Sequence, residues 1–517
     1  MNAETTRSGT AQRGGGRAGR QRQRQRESAA PAPAYIRRQI PCYELLGEES
    51  LQRLEDQAEW ILKEVGIRVV DDDDALAVYR EGGATVDGNR VRFDTGLARA
   101  LCSSAPAEFR LYARDAAGSV VVGGDNLVFG PCFGPPMVTD LDRGRRKGSF
   151  EDFCNFVKLA ESSPWLHHAG GVACEPEDLP LNKRHLDMNY ALLRYGSKPY
   201  MGASTAPERA QDSIDMARLV YGEAFMREHA VLHGMLNVNS PLTLDHITTG
   251  VLKTYACANQ PVVISPFMMS GAMAPVTQPA AIAQLHAEVM AAIALGQLYR
   301  KGSPIIYGNF LTTLNLKTGA PTFGTPEATL SMYAVGQLSR RLGLPLRCGG
   351  HLTSSKIADG QAMQESADSM NSALMAGGNF IIQAAGWLES GMTAGYEKFV
   401  MDVDHCGNVQ RLLGGLEIDD EQLARDAYRE VALGENFLGC EHTQRHFKTA
   451  NFQSALCDDD SFEAWRDKGS ADMQLRANKR WKQMLADYEA PKMHPAIDEA
   501  LQDFVARRKR SMADEWY

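Results

Sequence analysis

One histidine of this chain stands directly after two glycines, in Gly349-Gly350-His351. Glycines let a backbone approach a ligand closely, and an imidazole beside them can hydrogen-bond a carboxylate or an incoming cofactor. Gly349, Gly350 and His351 are therefore candidate cofactor contacts, and His351 is also a candidate catalytic group. A satisfied core histidine is an equal reading. Asn237 and Asn239, in Asn237-Val238-Asn239-Ser240-Pro241, are candidate polar anchors. Phe133, Phe267, Tyr307, Phe310 and Trp387 fall near glycines, amides and hydroxyls, and Tyr396 lies just beyond. Any one of these rings reads first as core. Gathered in one place they suit a bulky cation, because the ring face attracts a quaternary ammonium that has no N–H to donate.

Other chemistries lack their residues. No paired carboxylates dominate the ends of the apolar runs, which argues against a glycosidase. No Gly-rich loop ending in lysine stands out, and no GxGxxG lies between a strand and a helix. Cys348 and His351 are spaced C-x-x-H, and Cys440, His442 and His446 form C-x-H-x₃-H. Neither makes a four-ligand site, so no bound metal is expected. Glu327, Glu365 and Glu397 sit on helices, where a carboxylate needs no functional explanation.

These candidates need elements to carry them. From about residue 125 a short apolar run ending in small or polar residues alternates with an amphipathic stretch. The runs are 127–133, 166–174, 199–205, 230–238, 261–267, 304–310, 346–351 and 380–386. The amphipathic stretches lie near 150–162, 183–194, 207–221, 245–257, 278–300, 325–342, 359–376 and 394–414. Crossovers of that length imply parallel strands, and eight of them imply a (β/α)₈ TIM barrel, α/β in class, with its active site at the carboxyl ends of the strands. Residues 34–124 read as an N-terminal α/β cap, 125–415 as the barrel and 416–517 as a C-terminal helical extension. Residues 1–33 read as a disordered Arg/Gly/Gln-rich tail.

The chain of 517 residues is 44% hydrophobic and carries a net charge of −9, which argues against a nucleic-acid binder. Residues 7–26 are the exception, with seven arginines and no acid; a solvated tail is favoured over a nucleic-acid or membrane tether. No secretory signal and no membrane-spanning run stand out. The ten cysteines form no CxxC pair and suit reduced thiols in a cytoplasmic protein. A homo-oligomer is expected.

Several segments, in order, resemble the trimethylamine methyltransferase family. They are Gly349-Gly350-His351-Leu352-Thr353-Ser354-Ser355-Lys356 with Asp359-Gly360-Gln361-Ala362 and Glu365-Ser366, and Ser270-Gly271-Ala272-Met273-Ala274-Pro275-Val276-Thr277 with Glu288. Tyr307-Gly308, Thr318-Gly319-Ala320, Gly324-Thr325-Pro326-Glu327, Ala385-Gly386-Trp387-Leu388-Glu389, Tyr396-Glu397-Lys398-Phe399 and Glu441-His442-Thr443 complete the set. The similarity runs from about residue 34 to 500. It implies a (β/α)₈ barrel and methyl transfer to the cobalamin of a corrinoid protein, which is the partner and methyl acceptor. Archaeal members carry pyrrolysine, whereas this chain has only the standard residues. It therefore resembles the branch acting on quaternary amines such as glycine betaine, proline betaine or carnitine, with glycine betaine the first choice. In that reading Phe133, Phe267, Tyr307, Phe310, Trp387 and Tyr396 form the cup, and Asn237, Asn239 and His351 anchor the far end. A zinc-dependent betaine–thiol methyltransferase and a non-catalytic betaine-binding protein are the alternatives.

Overall fold

The computed structural model describes residues 36–516. The Arg-rich stretch expected as a tail lies outside the described residues. The described chain forms two compact units, 417–452 and the remainder.

The larger unit is a mixed α/β fold around a curled sheet. Its parallel strands are β1 (Asn126–Phe129), β2 (Tyr200–Met201), β3 (Leu232–Leu236), β4 (Val262–Ile264), β5 (Ile305–Gly308), β6 (Leu346–Gly349) and β7 (Phe380–Ile382). They stand in the order β2-β3-β4-β5-β6-β7-β1. The helices of the alternation are α1 (Phe150–Ser162), α2 (Arg184–Tyr195), α3 (Pro207–Tyr221), α4 (His246–Cys257), α5 (Gln278–Tyr299), α6 (Pro326–Arg341), α7 (Gly360–Met375) and α8 (Tyr396–Leu413). All eight lie where the amphipathic periodicity places them. Four of them, α1, α4, α6 and α7, start on a side-chain N-cap. Ser149 and Asp152 bond reciprocally at the head of α1, and Thr325 accepts from the Ala328 N–H ahead of α6.

Alternating residues divide the sheet's two faces. Val128, Met235, Val263, Ile306 and Phe380, from strands that are not all neighbours, meet in one inner cluster. Phe129, Leu232, Ile264, Tyr307, Leu346 and Cys348 pack outward among the helices. Beyond β1 the sheet continues antiparallel through 120–123 and 108–111. This hairpin brings Leu111, Val120 and Val122 to the inner cluster, and Leu111 bridges Ala230, just ahead of β3. The amino ends of the strands are thus plugged by apolar side chains.

The run 166–174, expected as the second strand, is not one. The His167 N–H donates to the Phe129 carbonyl at 2.9 Å and the Ala169 N–H to the Pro199 carbonyl at 2.8 Å; the Met201 N–H donates to the Gly170 carbonyl at 2.9 Å. The segment therefore bonds to both β1 and β2. The ladder fails because the Phe129 N–H donates to His167 Nδ1, at 3.1 Å, where a strand would offer a carbonyl. Gly170, at φ +87°, then turns the chain away.

Near the C-terminus, α9 (Met473–Ala486) packs on α8 and α1, and α10 (Pro495–Arg510) on α2 and α3. Helix α5 is long and apolar enough to cross a membrane, yet 94% of its most apolar stretch is buried inside the protein. The unit 417–452 holds two short helices, Arg425–Glu430 and Glu441–His446.

His167→Ala leaves the buried Phe129 N–H without an acceptor. The expected cost is about 1–3 kcal/mol, read as a lower midpoint in urea unfolding; an unchanged midpoint would contradict the assigned role of this side chain.

Candidate active site

Four rings converge beyond the carboxyl ends of β4, β5 and β7. Phe267 and Phe310 lie on short strands, Phe267–Ser270 and Phe310–Leu314, paired in parallel so that the two residues stand opposite each other. Their ring centres are 5.1 Å apart. Phe310 is 6.1 Å from Phe323 and 6.0 Å from Trp387, and Phe323 is 5.8 Å from Trp387. Phe267 and Phe310 keep part of their surface exposed, while Phe323 and Trp387 are buried. The bend that delivers Trp387 uses Gly386, at φ +93°, whose N–H donates to Asp402 Oδ2 at 2.8 Å. Asp402 is held by Lys398 Nζ at 2.5 Å, both groups fully buried at the start of α8. A Cβ on Gly391 would lie 2.5 Å from the Trp387 ring, so the indole packs on bare backbone.

Arg347, in the middle of β6, points inward beneath this group. Its Cζ lies 4.8 Å from the Phe310 ring centre. Nη1 donates to Ser265 Oγ at 3.1 Å and to the Asn309 carbonyl at 3.0 Å, and Nη2 donates to Gln383 Oε1 at 2.7 Å. Burial pulls the guanidinium down to about 10, which leaves it charged at neutral pH. No motif marks Arg347 in the sequence; a charge inside a run buried on both faces is the one signal it carries.

A cavity of about 410 Å³ opens on the other side of the strand ends, lined by Phe133, Met201, Met235, Asn237 and Asn239 among others. Asn237 is exposed. Asn239 is tied at both ends, donating to Asp245 Oδ2 at 3.1 Å and accepting from Thr248 Oγ1 at 3.3 Å. On the inner face nearby, His168 and His233 are 3.2 Å apart through their Nε2 atoms, with Phe380 edge-on to both.

The remaining expected residues serve packing. His351 is fully buried with both nitrogens engaged. Nδ1–H donates to the Ala384 carbonyl at 2.7 Å, so Nε2 accepts from His405 Nδ1, also at 2.7 Å. Burial, then the neighbouring His405 and Lys398, hold it well below its ordinary value, and it has no nitrogen left for substrate or cofactor. Gly349 and Gly350 are small for the same reason. A Cβ would lie 2.6 Å from Leu352 at the first and 2.9 Å from Met370 at the second.

Tyr307 faces outward because strand side chains alternate, so Ile306 takes the inner face. Its hydroxyl lies 3.0 Å from His286 Nδ1 on α5. Tyr396, in the first turn of α8, stacks on Phe156 at 4.6 Å and donates to Asp152 Oδ1 at 2.9 Å, away from the four rings. Glu397 accepts from Trp481 Nε1 at 3.0 Å. Glu365 holds the loop after β6, accepting from Thr353 Oγ1 at 2.6 Å and the Ser354 N–H at 2.8 Å.

Of the C-x-x-H pair, Cys348 is buried, which pushes its thiol up to about 12, and both ring nitrogens of His351 are hydrogen-bonded within the protein. Among the described residues, Glu421, His442 and His446 lie close enough to share an ion. They belong to the unit 417–452 and are joined to each other, His446 Nε2 to Glu421 Oε1 at 2.7 Å. Cys440 is not part of the group.

The trimethylamine methyltransferase (MTTB) family profile matches residues 13–513. The chain belongs to this family. A glycine betaine methyltransferase of Desulfitobacterium hafniense (strain Y51) is 36% identical over 477 residues, covering 92% of this chain and 99% of that protein. A proline betaine:corrinoid methyltransferase of Eubacterium limosum is 29% identical, covering 87% and 92%. A trimethylamine methyltransferase of Desulfitobacterium hafniense (strain DSM 10664 / DCB-2) is 27% identical, covering 90% and 93%.

The His286–Tyr307 contact has a pH signature. Burial lowers His286 from 6.5 to about 4 in the folded chain. Above 6.5 both folded and unfolded forms are neutral; as the pH falls, the unfolded chain takes up the proton first and stability drops. Between pH 7 and pH 5 this group is expected to cost about 2 kcal/mol. His286→Gln removes it, so the variant's melting temperature should fall less than the parent's over that interval. An equal fall in both would refute the assignment.

Proposed function

We propose that the protein moves a methyl group from glycine betaine to the reduced cobalt of a corrinoid protein. The observation that carries this reading is the group of Phe267, Phe310, Phe323 and Trp387 at the carboxyl ends of the strands. Ring faces stabilise a trimethylammonium group, by about 0.5–2 kcal/mol for each cation–π contact depending on desolvation. The glycine betaine and proline betaine enzymes among the relatives support the choice of donor.

The chemistry asks little of the protein by way of proton transfer. A quaternary nitrogen carries its charge permanently and leaves as a neutral tertiary amine when one methyl is taken. One carbon–nitrogen bond breaks, its electron pair stays on nitrogen, and the methyl bonds to Co(I), which supplies its own electron pair. Dimethylglycine is the other product. No general acid is needed, which agrees with His351 being locked and neutral. The reactive metal belongs to the partner's corrinoid. The chain's own residues hold the cation, keep water from its methyl groups and aim one methyl outward, where orientation lowers the barrier.

We also infer that the segment 166–170 completes the sheet as a closed (β/α)₈ barrel. Its hydrogen bonds to β1 on one side and β2 on the other support closure.

The test mixes the protein with Co(I) cobalamin, or a reduced corrinoid protein, and each of glycine betaine, proline betaine, carnitine, choline and trimethylamine. Methylcobalamin absorbance should rise with glycine betaine and stay flat with trimethylamine. Trp387→Leu should lower kcat/KM for glycine betaine about 2- to 30-fold, the range expected from losing one cation–π face. No methylation from any donor overturns the reading.

A further inference from the structure

Arg347 is fully buried, and every group it bonds is neutral: Ser265 Oγ, the Asn309 carbonyl and Gln383 Oε1. Among the described residues it enters no ion pair with a carboxylate. Buried charges are ordinarily paired, since an uncompensated one is costly. Its donors are also incompletely used. Nε has no acceptor, and Nη2, with two hydrogens, has one. Nε and Nη2 form the side edge of the guanidinium, the edge that grips a carboxylate with two parallel hydrogen bonds. Beside them, Gln383 Nε2 is buried without an acceptor, and so is the indole nitrogen of Trp387. Gln383 also sits at φ +53°, a left-handed conformation that a residue other than glycine rarely holds, and such strain gathers at ligand sites.

The aromatic group and this donor set share a residue. Phe310 covers the Arg347 guanidinium and lies against Phe267 and Trp387. The guanidinium therefore lies directly against one ring of the aromatic group, within reach of an acid group a short spacer from a cation held there.

We propose that Arg347 and Gln383 are the seat for the substrate carboxylate, and that they restrict the enzyme to zwitterionic betaines. This deepens the reading of the preceding subsection and rests on it. The carboxylate supplies the missing counter-charge and accepts from Arg347 Nε, Arg347 Nη2 and Gln383 Nε2. A quaternary amine without an acid group leaves the cation and its donors unpaired. A site built to bond a substrate group rejects the analogue lacking it by about 10⁴-fold or more, so wild type should favour glycine betaine over choline by that order in kcat/KM.

The test compares both donors in wild type, Arg347→Met and Gln383→Glu. The Glu variant places a permanent carboxylate against Arg347, so it fills the seat rather than emptying it and should keep the fold if Arg347→Met does not. The glycine betaine to choline ratio should fall at least about 100-fold in each folded variant, the loss expected when one charged hydrogen-bonded partner is removed. Calorimetry with 3,3-dimethylbutyrate, which keeps the acid and replaces nitrogen by carbon, should show binding to wild type and none to Gln383→Glu. A ratio within about threefold of wild type, or retained 3,3-dimethylbutyrate binding, overturns the proposal. If no amine donates a methyl group, the reaction assigned above fails instead, and the calorimetry alone decides the carboxylate seat.

Discussion

A parallel strand buried on both faces has no place for an unpaired charge, and β6 carries one. Helices cover the outside of the sheet and the hairpin 108–123 plugs its amino ends, so the inner cluster takes apolar side chains from β1, β3, β4 and β5 and the one polar inner group of β3, His233, is a neutral imidazole bonded to His168. Arg347 departs from that rule in the middle of the curl. What surrounds it is arranged for a cation that awaits its partner: neutral acceptors on three sides and a phenyl ring across one face. The aromatic group can lie directly beyond only because Gly386 and Gly391 let the chain fold Trp387 back onto it.

The carboxyl ends of the strands are held by groups bonded to one another and to nearby backbone. Lys398 and Asp402 fix the Gly386 bend, His351 and His405 lock the backbone after β6 and β7, and Glu365 ties the loop beyond β6. A buried ion pair of this kind contributes little net stability, but breaking it is costly. That cost keeps the rings where they are. The histidines follow the same logic: burial and local bonds keep them neutral, so they add shape and hydrogen bonds without adding charge.

Much of this was legible in the residues. The period of the apolar runs located all eight helices and seven parallel strands. The run 166–174 misled because His167 replaces a main-chain acceptor with its ring, a substitution that periodicity cannot register. Facing was harder than position. Tyr307 and Phe310 belong to one run, yet the alternation turns the first toward α5, while a short second strand carries the other to the rings. Tyr396 lies against α1 and not among the rings, because a helix's first turn can face another helix as readily as a sheet. Gly349-Gly350-His351 reads as a ligand loop and serves as tight packing. Phe323 lies outside every apolar run, so only the fold reveals it as part of the aromatic group.

The central claim is that the four rings and Arg347 form one seat for a betaine. The most direct measurement is a crystal structure with glycine betaine bound. Trimethylammonium density against Phe267, Phe310 and Trp387, with the carboxylate on Arg347 and Gln383, is the expected result. Betaine lodged beside Asn237 in the neighbouring cavity, with Arg347 still unpaired, would contradict it.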